Sequence, residues 1–182
     1  MAQKTALKEI LATEAAVPTE KREQATWSTG KAAHIVILKS GEGYFGIDIN
    51  IVQEIVLMQD ITKVPGSAAY IAGMTDLRGR VIPVTEFATL LGHEPGERNE
   101  DTRILVVEHG SAHIGFIVDA VTEVMLVEGD KIEGATSAGA SDHDYIVGVA
   151  KLEGNLVALV NTNSLLTSSG AGAELEALEE AA

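Results

Sequence analysis

Three clusters in this sequence carry residue types that could do chemistry. Gly41-x-Gly43-x-x-Gly46 has the spacing of a phosphate-cradling loop, His109 and His113 stand four apart, and Asp142-His143-Asp144 offers three potential metal ligands in a row. A phosphate loop needs a helix N-terminus behind it, yet the residues that follow (YFGIDI) read as a strand. Nucleotide binding is therefore not expected. Histidines four apart grip a metal when both rings leave one helix face, whereas these two flank the turn-forming HGSA and read as surface side chains. The Asp-His-Asp run lies in the Gly-, Ala- and Ser-rich stretch Gly134 to Asp144 and reads as a solvated loop. There is no cysteine, hence no disulfide framework and no thiolate site. No serine shows a neighbouring base and oxyanion donors. The expectation is a chain with no turnover, no cofactor and no metal.

The other unusual residues are cations in an acidic chain. Thirteen Lys and Arg against 27 Asp and Glu give a formal charge of -14, which repels phosphate backbones and argues against nucleic-acid and anionic-membrane partners. Arg78 and Arg80 are two of four arginines between residues 31 and 163. They sit in Leu77-Arg78-Gly79-Arg80, a hairpin turn by composition. On the residues alone, Arg78 is either an ordinary solvated turn residue or a contact for a partner.

The elements that must position these residues are mostly strands. A chain of 182 residues with 46% hydrophobic but 4% aromatic side chains allows one domain or two very small ones with aliphatic cores. His34 to Lys39, Tyr44 to Ile49, Thr102 to Glu108, His113 to Asp119 and Leu156 to Val160 are β-branched or alternating runs between turn residues. Short helices are expected at Thr85 to Leu91 and Asn161 to Thr167, and Asn50 to Leu57 reads as a helical turn leading into a strand. Residues 1–30 read as a flexible extension. Residues 168–182 form either a short acidic helix with Leu175 and Leu178 on one face or a frayed tail. Glu9 and Glu14 interrupt what a signal peptide would need, and no apolar run approaches the ~18 residues of a membrane span. A soluble cytoplasmic protein is expected.

The middle of the chain repeats itself. Sliding Ile35 to Val56 by 69 positions lays Gly41 on Gly110, Gly46 on Gly115, Val52 on Val121 and Glu54 on Glu123. Sliding YIAGMTDLRGRVIPVTEFATLL by 75 lays it on YIVGVAKLEGNLVALVNTNSLL, with Gly73 on Gly148 and Gly79 on Gly154. Two units of about 65 residues, each with about five strands, imply two small barrels sharing a core. Glycines present in both halves serve turns or close backbone approach. Charges differ, since Glu153 stands where the first half has Arg78.

GYFGIDINIVQEI, VPGSAAYIAGMTDLRGRVIPV and IGFIVDAVTEV, in this order and spacing, resemble the CheW family of chemotaxis coupling proteins. The resemblance covers about residues 32 to 167. It implies an all-β fold of two intertwined five-stranded SH3-like barrels with a few short helices, roughly 31–100 and 101–167. It also implies a noncatalytic adaptor joining the cytoplasmic tips of chemoreceptors to the regulatory domain of the histidine kinase CheA, recruited to receptor arrays without inserting into the membrane. It places Val52, Glu54, Ile55, Gly73, Arg78 and Val81 at partner contacts. Glu54 and Arg78 could themselves pair. Asp76 replaces the Asn of the usual Asn-Leu-Arg-Gly motif, which bears on partner choice. In the second barrel, Ile132 to Ala138 carries an acid where the family has an arginine and lacks its prolines and aromatic. Contact with the kinase is therefore expected mainly through the first barrel, with ring closure weak or absent. An adaptor or decoy of a pilus or gliding pathway would share these motifs, and a small carboxylate-dependent hydrolase is the competing reading from another class.

Overall fold

The β-branched runs form strands, and each half of the repeat shares its strands between two sheets. The computed structural model describes residues 30–135 and 144–182. The extension up to residue 29, and the segment 136–143 with Asp142 and His143, lie outside them. Along the chain run β1 (Ala33–Ser40), β2 (Gly43–Asp48), β3 (Val52–Leu57), β4 (Ile71–Leu77), β5 (Arg80–Glu86), β6 (Arg103–His109), β7 (Ala112–Val118), β8 (Ala120–Val127), β9 (Ile132–Gly134), β10 (Ile146–Leu152) and β11 (Asn155–Val160). The helices are α1 (Phe87–Leu90), α2 (Thr162–Ser168) and α3 (Ala171–Ala181). The ambiguous Asn50 to Leu57 resolves as a 3-10 turn at Ile49–Ile51 running into β3. The helix expected from Thr85 begins two residues later, because Thr85 is fully buried, pairs with Phe116, and donates its hydroxyl to Tyr70 O at 2.6 Å. At the second helix Asn161 caps as expected, its Oδ1 accepting from Ser164 N.

One sheet has the order β8-β1-β2-β11-β10-β9 and the other β3-β6-β7-β5-β4. The two repeat offsets carry β3, β6, β7, β5 and β4 onto β8, β1, β2, β11 and β10, so both sheets share one five-strand order. The short β9 is the sixth strand of the first sheet. Each sheet holds an N-terminal hairpin of one half and the remaining strands of the other. The exchange is sealed by two parallel pairings, β2 with β11 and β5 with β7. Parallel neighbours cannot be joined by a tight turn, so the chain must cross between sheets to make them.

The core follows this exchange. Ile35, Ile37, Val157 and Leu159 fill one sheet's concavity, and Ile82, Val84, Ile104 and Val106 fill the other's. A third cluster lies between the sheets. There Phe45, Phe87 and Phe116, the chain's three phenylalanines, meet edge to face with centroids 5.6 Å apart in each contact. The phenylalanines are thus spent joining the barrels.

Candidate partner-binding site

Gly73 explains how the site's loop is laid down. Both β4 and β10 carry a register shift at the equivalent glycines, Gly73 and Gly148. A Cβ on Gly73 would stand 2.2 Å from Thr62 O, and one on Gly148 would stand 2.8 Å from Glu133 O. In each half an earlier segment crosses the strand where the side chain is missing. In the first half this crossing is the Thr62–Met74 bridge, with both backbone bonds at 2.8 Å.

That crossing helps curl the five-stranded sheet until its opposite edges, β3 and β4, face one another. Glu54 lies on β3 and Arg78 in the two-residue turn after β4, and their side chains meet at 3.4 Å. The expected ion pair therefore spans the seam of the barrel. Arg78 remains 55% exposed and Glu54 29%, so the pair contributes little to stability. The turn is fixed from within, since Asp76 Oδ1 accepts from Gly79 N at 2.7 Å. An Asn side chain could make the same bond, so Asp76 keeps the geometry of the motif while adding a charge.

Four of the six expected contact residues reach the surface of this barrel: Glu54, Ile55, Arg78 and Val81. Val52 does not. It is 1% exposed and packs in the cluster between the barrels, because the bulge between Val52 and Glu54 turns it to that side of β3. Gly73 is buried too, and its role is the backbone crossing described above. The motif reading missed Leu57, which is 61% exposed and by period-two alternation shares the face of Ile55. Among the described residues, the exposed large aliphatics are Leu57, Val81, Leu126 and Leu156. These are two repeat-equivalent pairs, a regularity visible in the aligned halves.

The other clusters serve the fold. Gly41 N is bonded to Asp119 Oδ2 at 2.7 Å, and a Cβ on Gly46 would strike Leu159, so the glycine pattern supports strand packing with a carboxylate where phosphate would sit. His109 and His113 are not the surface side chains expected of them. They lie beneath α3, with His109 Nδ1 2.7 Å from Asn163 Oδ1 and His113 Nδ1 3.8 Å from Glu179. Among the described residues no group of three His, Asp or Glu side chains could hold a metal. A cleft of about 600 Å³ beside α1 is lined by Glu86, His93 and Glu94, with Glu86 held by Arg98 at 2.6 Å.

A family model described as the CheW-like domain matches residues 34–170. This chain belongs to the CheW family. It is 32% identical to the chemotaxis protein CheW of Bacillus subtilis, covering 72% of this chain and 85% of that protein. To the chemotaxis protein CheW of Rhizobium meliloti it is 30% identical, covering 77% and 91%. Among solved structures it resembles the scaffolding protein CheW of Thermoanaerobacter tengcongensis, with a TM-score of 0.67 and 31% identity over 74% of this chain and 92% of that one. Membership agrees with the two exchanged barrels and with a family of adaptors. Among the described residues, no helix is long and apolar enough to cross a membrane.

Proposed function

We propose that this CheW-family chain joins the cytoplasmic tips of chemoreceptors to the histidine kinase CheA, with Glu54, Ile55, Arg78 and Val81 at the contact. The observation that carries the residue assignment is the exposed Glu54–Arg78 pair on the seam of one barrel. Its counterpart in the other half is Glu123 with Glu153, so the fold itself does not require a cation there. In a chain of charge -14, a fixed guanidinium beside exposed aliphatic side chains offers a partner carboxylate a bidentate site and apolar area around it. The chain is recruited to membrane-bound receptors through protein contacts alone.

Titration calorimetry with the CheA regulatory domain and with a receptor cytoplasmic fragment tests this. Arg78→Ala should lose more than about 1 kcal/mol of binding free energy to at least one of them. Its folding stability should change by less than about 0.5 kcal/mol. Glu153→Ala should leave affinity intact. Unchanged affinity of Arg78→Ala for both partners would remove Arg78 from the site.

A further inference from the structure

We propose that the C-terminal helix α3 preorganises the Arg78 hairpin through the Glu179–Arg80 ion pair, so that docking of α3 and binding of the partner are thermodynamically linked. The inference rests on the reading of that hairpin as the kinase contact.

Glu179 stands at a junction. One of its oxygens lies 2.9 Å from the Arg80 guanidinium, and the other accepts from His113 N at 2.8 Å. One carboxylate thus ties the last turn of α3 to the β4–β5 hairpin and to the start of β7. Arg80 is the residue that pairs with Leu77 to close the turn carrying Arg78. Arg78 has φ of 55°, a left-handed conformation that disfavours an L side chain. The turn is therefore held by its anchors: Asp76 on Gly79 N, Glu54 on Arg78 and Glu179 on Arg80. In the second half, the positions of Asp76 and Arg80 are taken by Lys151 and Asn155, which cannot form the corresponding pairs. The anchoring is a property of the proposed partner-facing half alone.

The helix needs the hairpin as much as the hairpin needs the helix. Eleven residues are marginal for an isolated helix. Gly170 at the N-cap offers no side-chain bond, and the last turn holds no basic residue, while Glu179 and Glu180 face the negative end of the helix dipole. Buried Leu175 and Ala171, the Tyr70 hydroxyl on Glu174, and Arg80 hold α3 down. Arg80 supplies the cation that the helix end lacks. Linkage is reciprocal: a docked α3 lowers the ordering cost of the hairpin on binding, and a bound partner that fixes the hairpin strengthens α3.

Intact chains carrying Glu179→Gln, Arg80→Gln, both changes together, and the exchange Arg80→Glu with Glu179→Arg would be titrated with the CheA regulatory domain, beside Arg78→Ala. Amide hydrogen exchange of α3 would be followed with and without the kinase domain. Each single change should weaken binding about two- to five-fold. The double change should be no weaker than the worse single, and the exchange should recover part of the loss. Kinase binding should slow exchange in α3 of the unmodified chain. If Arg78→Ala keeps full affinity for the kinase domain, the reading of the hairpin as the kinase contact itself fails. If Arg78→Ala weakens binding while Glu179→Gln does not, or α3 exchange is unmoved by the kinase, the link alone is overturned. Tighter binding by Glu179→Gln would also overturn it, because α3 would then compete for Arg80.

Discussion

Arg78 and Glu153 occupy the same turn position in the two halves, and both hold positive φ, 55° and 37°. The strain therefore belongs to the fold, and only the charge distinguishes the two sites. Asn tolerates this conformation better than either residue. Arg78→Asn should raise stability by up to about 1 kcal/mol while weakening partner binding, and Glu153→Asn should stabilise without that loss. Urea melts paired with titrations check both, and an Arg78→Asn variant of undiminished affinity would show that the arginine serves the turn alone. Gly73 gives a second contrast. Gly73→Ala should cost about 3 kcal/mol or more, and more than Gly148→Ala, because its Cβ would meet a carbonyl at 2.2 Å instead of 2.8 Å and at φ of +146°. The aligned halves already named both glycines as backbone requirements. Motif resemblance nonetheless placed Gly73 and Val52 at the contact, because a motif transfers residue identity without exposure. Burial of Val52 depends on the bulge between Val52 and Glu54, which alternation read along one strand does not reveal.

At the scale of elements, β1, β2, β6, β7 and β11 were legible because their alternation is local and turn residues marked their ends, whereas β4, β5, β8, β9 and β10 were not placed by it. Helix α3 was legible only as one of two readings. Its supports, Tyr70, Arg80 and His113, stand 104, 99 and 66 positions from their partners on the helix, and no local pattern encodes such distances. The same separation hid the burial of His109 and His113. Leu175 is fully buried, so Leu175→Ala should cost about 2–5 kcal/mol in a denaturant melt. The Tyr70 hydroxyl is pushed from 10.0 up to about 12, first by its bond to the Glu174 carboxylate, then by burial and by the charge of Glu174. A folded pKa above the unfolded one means that this stabilisation is complete below pH 10 and is lost as pH rises from 10 through about 12. Unmodified chain should therefore exceed Tyr70→Phe in stability at pH 8, and its advantage should vanish between pH 10 and 12. A constant difference across that range would show that the hydroxyl bond does not hold α3.

The whole molecule is two barrels that neither half can build alone. The repeat revealed two equivalent units, and the family resemblance supplied their exchange; composition and spacing do not say which hairpin joins which sheet. Because each sheet draws strands from both halves, residues 30–100 and 101–182 prepared separately should remain unfolded, and the intact chain should melt in one transition. Circular dichroism of each fragment, alone and mixed, checks this, and a cooperative melt of either fragment alone would contradict it. The exchange also ties the Arg78 hairpin into a sheet built from both halves. The adaptor reading is tested most directly by co-sedimentation of CheA with vesicles bearing receptor cytoplasmic fragments, in the presence and absence of this chain. Kinase should sediment with the vesicles when the unmodified chain is added, and much less with Arg78→Glu. Sedimentation of the kinase that is the same with and without the chain would contradict the account.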